Sequence, residues 1–231
     1  MTTQRPSTRS SAQASTRRLP TLEVEVGLGR GAGRIVCGID EVGKGSWAGP
    51  LVIGVAVLRT DVAESDVPAR DSKSLSEKKR EAAFDAVAGA CSAWSLGLAS
   101  AHECDELGMS AAQKLATSRA LDELARNGCT PHAALVDGRW DFVTPLVPEV
   151  RMFVGGESTS LSIAAASILA KVSRDRMMRR LADDLPHWSF ATNKGYSCPK
   201  HVAGLLTHGV SREHRVSWGY MERLGIPRDV R

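Results

Sequence analysis

The sequence predicts an α/β fold: a mixed β-sheet flanked by helices, with a small helical extension at the C-terminus. Three observations predict it. Short β-branched runs end at glycines, as in Arg34-Ile35-Val36-Cys37-Gly38-Ile39 and in the run that precedes Asp137-Gly138. Helical spacings follow and then alternate with further strands, the clearest being Ala112, Leu115, Ala116 and Leu124. Beyond Pro186 the texture changes to Trp, His, Gly and Arg in short pieces. A leading group of strands followed by alternation suits a mixed sheet with helices on its faces.

Taken in order, residues 1–30 read as a disordered basic tail with a Gly-rich joint at Gly27 to Gly33, because Ser, Thr, Gln and Arg dominate through Arg18 without an apolar core. Residues 31–185 read as the main domain and 186–231 as the extension, an appendage rather than a second core. The first strand covers 34–39. The second, Leu51 to Leu58, is nearly all apolar and is expected to be central. Ser74 or Ser76 can cap a helix through about Ala90, with Glu77 three residues after Ser74. Trp94 to Ala99 alternates as a third strand. Met109 to Arg126 is helical and stops at Asn127-Gly128. Strands follow at His132 to Val136 and Val150 to Val154, and the longest helix runs from Ser160 to about Leu185.

The composition excludes several classes. With 231 residues, 42% hydrophobic and 24% charged, the chain is neither wholly disordered nor collagen-like. No apolar run approaches the roughly 20 residues of a membrane span. Five widely spaced cysteines without a C-x-x-C pair argue against structural zinc and a secreted disulfide framework, which suggests a cytoplasmic, reducing setting. The net charge of +4 divides into +4 for residues 1–18, −6 for 19–170 (14 basic, 20 acidic) and +6 for 171–231 (12 basic, 6 acidic). A basic end can meet a polyanion and an acidic body can hold cations, although solvated faces would read the same way.

Asp40 and Glu41 close one apolar strand, Asp137 closes another, and Asp175 lies on the long helix. In a regular strand Asp40 and Glu41 point to opposite faces, so the expectation is a backbone turn there, helped by Gly43 and Gly45. Carboxylates forced together repel unless cations lie between them, and an all-oxygen set suits Mg²⁺ or Mn²⁺. Two such ions about 4 Å apart serve phosphodiester hydrolysis. Each acid alone also reads as a cap or salt bridge, Asp175 above all, with Arg174 and Arg176 adjacent and Lys171 one turn away. Gly38 to Gly45 nearly spells the phosphate-binding loop G-x-x-x-x-G-K-[ST]. Gly45 lacks the required hydroxyl, two acids oppose phosphate, and no helix pattern follows.

Read whole, Gly38-Ile39-Asp40-Glu41-Val42-Gly43-Lys44-Gly45-Ser46-Trp47-Ala48-Gly49-Pro50 resembles the signature of the ribonuclease HII family, the type 2 ribonucleases H, G-I-D-E-x-G-R-G-x-x-A-G-P. Blocks at Asp71 to Ser76 with Lys79-Arg80, Val136-Asp137-Gly138, Ser160 to Asp175, Gly195-Tyr196 through His201, and His214 to Trp218 follow in family order. The resemblance implies a ribonuclease H-like fold. It implies an endonuclease that hydrolyses the RNA strand of RNA/DNA hybrids and cuts 5′ of single ribonucleotides in duplex DNA, leaving a 3′-hydroxyl and a 5′-phosphate, in ribonucleotide removal during replication and repair. Asp40, Glu41, Asp137 and Asp175 would be its metal-binding catalytic carboxylates, holding Mg²⁺ or Mn²⁺, two ions during catalysis. Gly43, Lys44 and Gly45 would sense the ribose 2′-hydroxyl, largely through the backbone, and Tyr196 would pack on the following sugar. The extension would bind substrate, with phosphate contacts from Arg174, Arg176, Arg179, Arg180, Lys194, Lys200, Arg212 and Arg215. His201 and His214 are expected to be structural. The expected partners are RNA/DNA hybrid and ribonucleotide-containing DNA, with no membrane and no obligate protein partner, the chain acting as a monomer. Lys44 departs from the usual Arg, Gly155 and Glu157 stand where Lys and Asp are common, and Ser197-Cys198 is also atypical. The rival readings are a P-loop nucleotide hydrolase and a non-catalytic nucleic-acid binder.

Overall fold

A computed structural model describes residues 19–69 and 75–227. The strands are β1 (Val36–Val42), β2 (Leu51–Leu58), β3 (Cys91–Ala99), β4 (Ala133–Asp137) and β5 (Glu149–Phe153), in the sheet order β3-β2-β1-β4-β5. β3, β2 and β1 pair antiparallel, whereas β1, β4 and β5 run parallel. This is the mixed sheet the sequence predicts. β2 is buried along its whole length, which is why it lacks polar alternation.

The helices are α1 (Glu23–Gly27), α2 (Glu77–Ala90), α3 (Ala101–Leu107), α4 (Met109–Arg126), α5 (Leu161–Asp184), α6 (Phe190–Asn193), α7 (Pro199–His208) and α8 (Tyr220–Arg223). Alternate residues of β1 and β2 go to different layers. Cys37, Ile39, Leu51, Ile53 and Val55 pack with Ala112, Ala116 and Leu124 of α4. Ala56 and Leu58 pack with α2 and α5 on the other face. α5 lies very close to β1, since a Cβ on Gly38 would fall 2.1 Å from the carbonyl carbon of Ser162. Ser160 caps α5 by accepting from the Ile163 amide at 3.2 Å, and Ser76 caps α2 in the same way from Lys79. The alternative cap Ser74, with Asp71 to Lys73, lies outside the described residues.

Three expectations change. The chain from Leu19 onward packs on the body rather than forming a loose joint. Glu25 of α1 is fully buried, and its Oε1 accepts from the Ser160 hydroxyl (2.7 Å), the Ser162 amide (2.8 Å) and the Ser162 hydroxyl (2.7 Å). Residues 1–18 lie outside the described residues. Second, α3 was not foreseen, although Ser100 and Glu103 form a reciprocal capping box. Third, the extension builds a small core of its own. Trp188, Phe190, Leu205, Tyr220 and Met221 close around Met178 of α5 and Ala48 of the loop after β1. The five cysteines are free thiols, Cys37 and Cys104 buried. No helix among the described residues is long and apolar enough to cross a membrane.

Candidate active site at the carboxyl ends of the central strands

β1 and β4 are parallel neighbours whose last registered pair is Ile39 with Val136, so Asp40 and Asp137 leave the same edge of the sheet side by side. A pocket of about 410 Å³ opens there. It is lined by Asp40, Glu41 and Asp137, by Gly43, Lys44 and Gly45, and by Tyr196, with Arg80, Ser167 and Lys171 completing the wall. Seven of the eight residues expected to carry catalysis or ribose recognition therefore meet in one place.

The expected turn at Asp40-Glu41 is absent. β1 stays regular through Val42, with Asp40 opposite Gly54 and Glu41 opposite Ile53 on β2. The two side chains accordingly take opposite faces. Asp40 goes toward Ser167 on α5, while Glu41 goes toward α4, where Gln113 donates to its Oε2. Both still reach the pocket because β1 outruns β4 by two residues, and at a strand end the two faces open into common space. The continued strand also removes the phosphate-loop reading, since residues 38–42 are sheet and no helix follows.

Asp40 is nearly covered, at 6% exposure. Burial, with the charges of Asp137 and Glu157, pushes its carboxyl up to about 7, although Ser167 and the Glu41 amide (2.7 Å) donate to it. Glu41 is also pushed up by burial, against the pull of Lys44, whose Nζ lies 3.5 Å from Oε1. Asp137 Oδ1 accepts from the Gly156 amide at 2.8 Å. That contact brings the 156–158 turn over the site and with it Glu157, 4% exposed, which accepts from the Ser167 hydroxyl at 3.1 Å.

Asp175 does not join them. It lies eight residues beyond Ser167 on α5, about 12 Å along the axis at 1.5 Å per residue. It is 2% exposed, and its Oδ1 is held by Lys171 Nζ at 2.7 Å. Lys171, not Asp175, reaches the pocket wall, and burial pulls its ammonium below the ordinary lysine range. The acid that stands with Asp40 and Asp137 is Glu157, which the sequence reading passed over as a mere departure. The signal was present: an acid three residues before the N-cap of the long helix, where the resembling family commonly carries an Asp.

Several expected phosphate contacts are internal instead. Arg174 and Arg215 have no exposed surface, and Lys194 is buried against Glu77 (3.1 Å) and the Ala191 carbonyl (2.6 Å). Arg176 and Arg179 are half-buried in ion pairs with Glu77 and Glu81. Arg180, Lys200 and Arg212 remain exposed. His201 and His214 are fully buried, as expected.

The carboxylates of the pocket offer oxygen donors only, which suits a hard divalent cation, and the Asp40 carboxyl is raised chiefly by burial, with the charges of Asp137 and Glu157 adding to it. Among the described residues no three His, Cys, Asp or Glu side chains converge into a ready-made cluster. The bonds from Gln113, Lys44 and Gly156 hold the acids around the pocket rather than on one point.

A family model described as ribonuclease HII matches residues 37–221. A ribonuclease HII from Streptomyces griseus subsp. griseus is 40% identical over 210 residues, covering 89% of this chain and 86% of the relative. Ribonuclease H2 from Pyrococcus horikoshii OT3 superposes with a TM-score of 0.67 at 27% identity, over 82% of this chain and 96% of that one. A Bst ribonuclease HIII solved in complex with Mn²⁺ shares the fold at a TM-score of 0.64 and 15% identity, over 83% and 69% of the two chains.

Proposed function

The chain belongs to the ribonuclease HII family and is a ribonuclease H-type endonuclease acting on RNA/DNA, and on that footing we propose that it cuts 5′ of single ribonucleotides in duplex DNA as well as within longer hybrids. The observation that carries this reading is the shared pocket. Acids able to serve hydrolysis (Asp40, Glu41, Asp137) line the same space as a glycine-flanked main-chain loop (Gly43 to Gly45) and an exposed aromatic ring (Tyr196), two features suited to a sugar.

Asp40, Glu41 and Asp137 would hold Mg²⁺ or Mn²⁺, with Glu157 as the fourth carboxylate in place of Asp175. Divalent ions supply, when bound, activation of the attacking water and stabilisation of the leaving 3′ oxygen. The chain's own residues do the rest. Ser167 and the Gly156 amide fix the rotamers of Asp40 and Asp137. Lys171, anchored by Asp175, adds positive charge on the wall where a phosphate would lie. Gly43 to Gly45 present main chain to the ribose, so that the 2′-hydroxyl is sensed without reading a base.

The test is cleavage of a duplex carrying one ribonucleotide, with Mg²⁺ or Mn²⁺, and mapping of the ends. Products with a 3′-hydroxyl on DNA and a 5′-phosphate on the ribonucleotide are expected. An uncut single-ribonucleotide duplex beside a cut RNA/DNA hybrid overturns the proposed specificity.

A further inference from the structure

Arg174 lies on α5 directly beneath the loop that follows β1. Its Nε donates to the Pro50 carbonyl (2.8 Å), Nη1 to the Lys194 carbonyl (2.8 Å), and Nη2 to Ser46 Oγ (2.8 Å) and the Ala48 carbonyl (3.1 Å). The guanidinium carbon is 5.5 Å from the centre of the Tyr196 ring. Gly43 runs so close that a Cβ there would lie 2.2 Å from Arg174 Nε. Arg215 grips the same loop elsewhere, donating to the carbonyls of Lys44 (2.9 Å) and Gly49 (3.0 Å). The loop is also joined to the Tyr196 segment by its own backbone, since the amides of Trp47 and Ala48 donate to the Gly195 carbonyl (2.8 and 3.2 Å).

A buried guanidinium is costly to desolvate, and a well-packed apolar side chain would commonly stabilise the fold as well. The acceptors named for Arg174 are three carbonyls and a hydroxyl, drawn from the loop between β1 and β2 and from the segment before Tyr196. Stability is therefore a poor account of this residue, and geometry is a better one. Burial excludes Arg174 from touching substrate.

We propose that Arg174 is a positioning residue for ribose recognition: it fixes the separation between the Gly43 to Gly45 main chain and the Tyr196 ring, so that both meet consecutive sugars of one strand. The proposal rests on the reading of those two elements as the substrate-holding ones. Lysine cannot substitute, because a single ammonium cannot span the separated acceptors that the planar fork reaches.

The experiment measures kcat and KM on a single-ribonucleotide duplex for wild type, Arg174→Lys, Tyr196→Ala and the double variant. Arg174→Lys is expected to raise KM about tenfold while kcat stays within about threefold, since no pocket carboxylate bonds to it. The double variant is expected to raise KM no further than Tyr196→Ala does, because a mispositioned ring and an absent ring are equivalent. Guanidinium chloride at millimolar concentration is expected to lower the KM of Arg174→Ala. An unchanged KM in Arg174→Lys, a fall confined to kcat, or additive effects with Tyr196→Ala each overturn the proposal. If Tyr196→Ala by itself leaves KM unchanged, the reading of the pocket fails and the proposal goes with it. A raised KM in Tyr196→Ala without one in Arg174→Lys defeats the proposal alone.

Discussion

His201 Nε2 stands 3.0 Å from His214 Nε2, with neither ring exposed. Their other nitrogens fix where the protons sit. The Ser211 amide donates to His214 Nδ1 at 2.8 Å, so His214 carries its proton on Nε2 and donates it to His201. His201 then holds its own proton on Nδ1 and donates it to the Tyr196 carbonyl at 2.9 Å. The pair is a neutral relay of donors ending on the backbone of a pocket residue. A second proton on His201 would set two N–H groups against each other.

Burial holds His201 below the ordinary value of 6.5. A group of this kind contributes stability that is complete above 6.5 and is lost as pH falls below it, because the unfolded ring takes the proton first. Protection of amides from hydrogen exchange, relative to the intrinsic rate at each pH, should therefore fall at residues 195–218 between pH 7.5 and 5.5 more than in β1 and β4. Uniform behaviour across the chain would contradict the relay.

Asp40 carries the opposite sign. Its carboxyl is raised from 3.8 to about 7, so its ionisation opposes folding progressively across that window and fully above it. At pH 8 this corresponds to a cost on the order of 4 kcal/mol in the chelated protein. Asp40→Asn should raise the melting temperature in EDTA by about 10 °C at pH 8 and far less at pH 4. Mg²⁺ should raise that of wild type but not of the variant, and cleavage by Asp40→Asn or Asp137→Asn should fall by about a thousandfold. Full activity in both variants would remove these acids from the chemistry.

Glu157 and Asp175 can be separated by the same assay. Glu157→Gln should lower single-turnover cleavage by about tenfold to a hundredfold, whereas Asp175→Asn should cost less than about tenfold, acting only through Lys171. The reverse order would restore Asp175 to the metal set.

Gly43 has φ of +87°, and a Cβ there would also meet the Pro50 carbonyl at 2.7 Å. Gly43→Ala should destabilise by about 2 kcal/mol or more in urea unfolding and weaken cleavage of the single-ribonucleotide duplex beyond that of a long hybrid. Equal losses on both substrates would argue against a sugar-sensing role for this loop.

The strands and long helices were legible because their signals are local: α4 starts and stops at the predicted residues, and α5 begins within one residue of the predicted start at Ser160. The acids at strand ends were legible for the same reason, and a parallel β1–β4 pair brings Asp40 and Asp137 together. What sequence could not supply was burial of charge. Arg174 and Arg215 look like any other cations in a basic quarter, and only the fold sets carbonyls around them. Asp175 was favoured because it ends a recognisable block, yet helical rise carries it past the pocket, while Glu157 enters through the backbone bond from Gly156 to Asp137.

Glu25 joins α1 to the first turn of α5, 135 and 137 residues later in the chain. During synthesis the Glu25 carboxylate gains these partners only once Ser162 has cleared the exit tunnel, and β1, which can already pair with β2, gains its parallel neighbour only with β4. The acid edge of the sheet is thus among the last parts to be completed during synthesis. A nascent chain stalled before residue 160 would hold Asp40 and Glu41 without the helix that seats Ser167, and so without the hydroxyl that holds Asp40 in place.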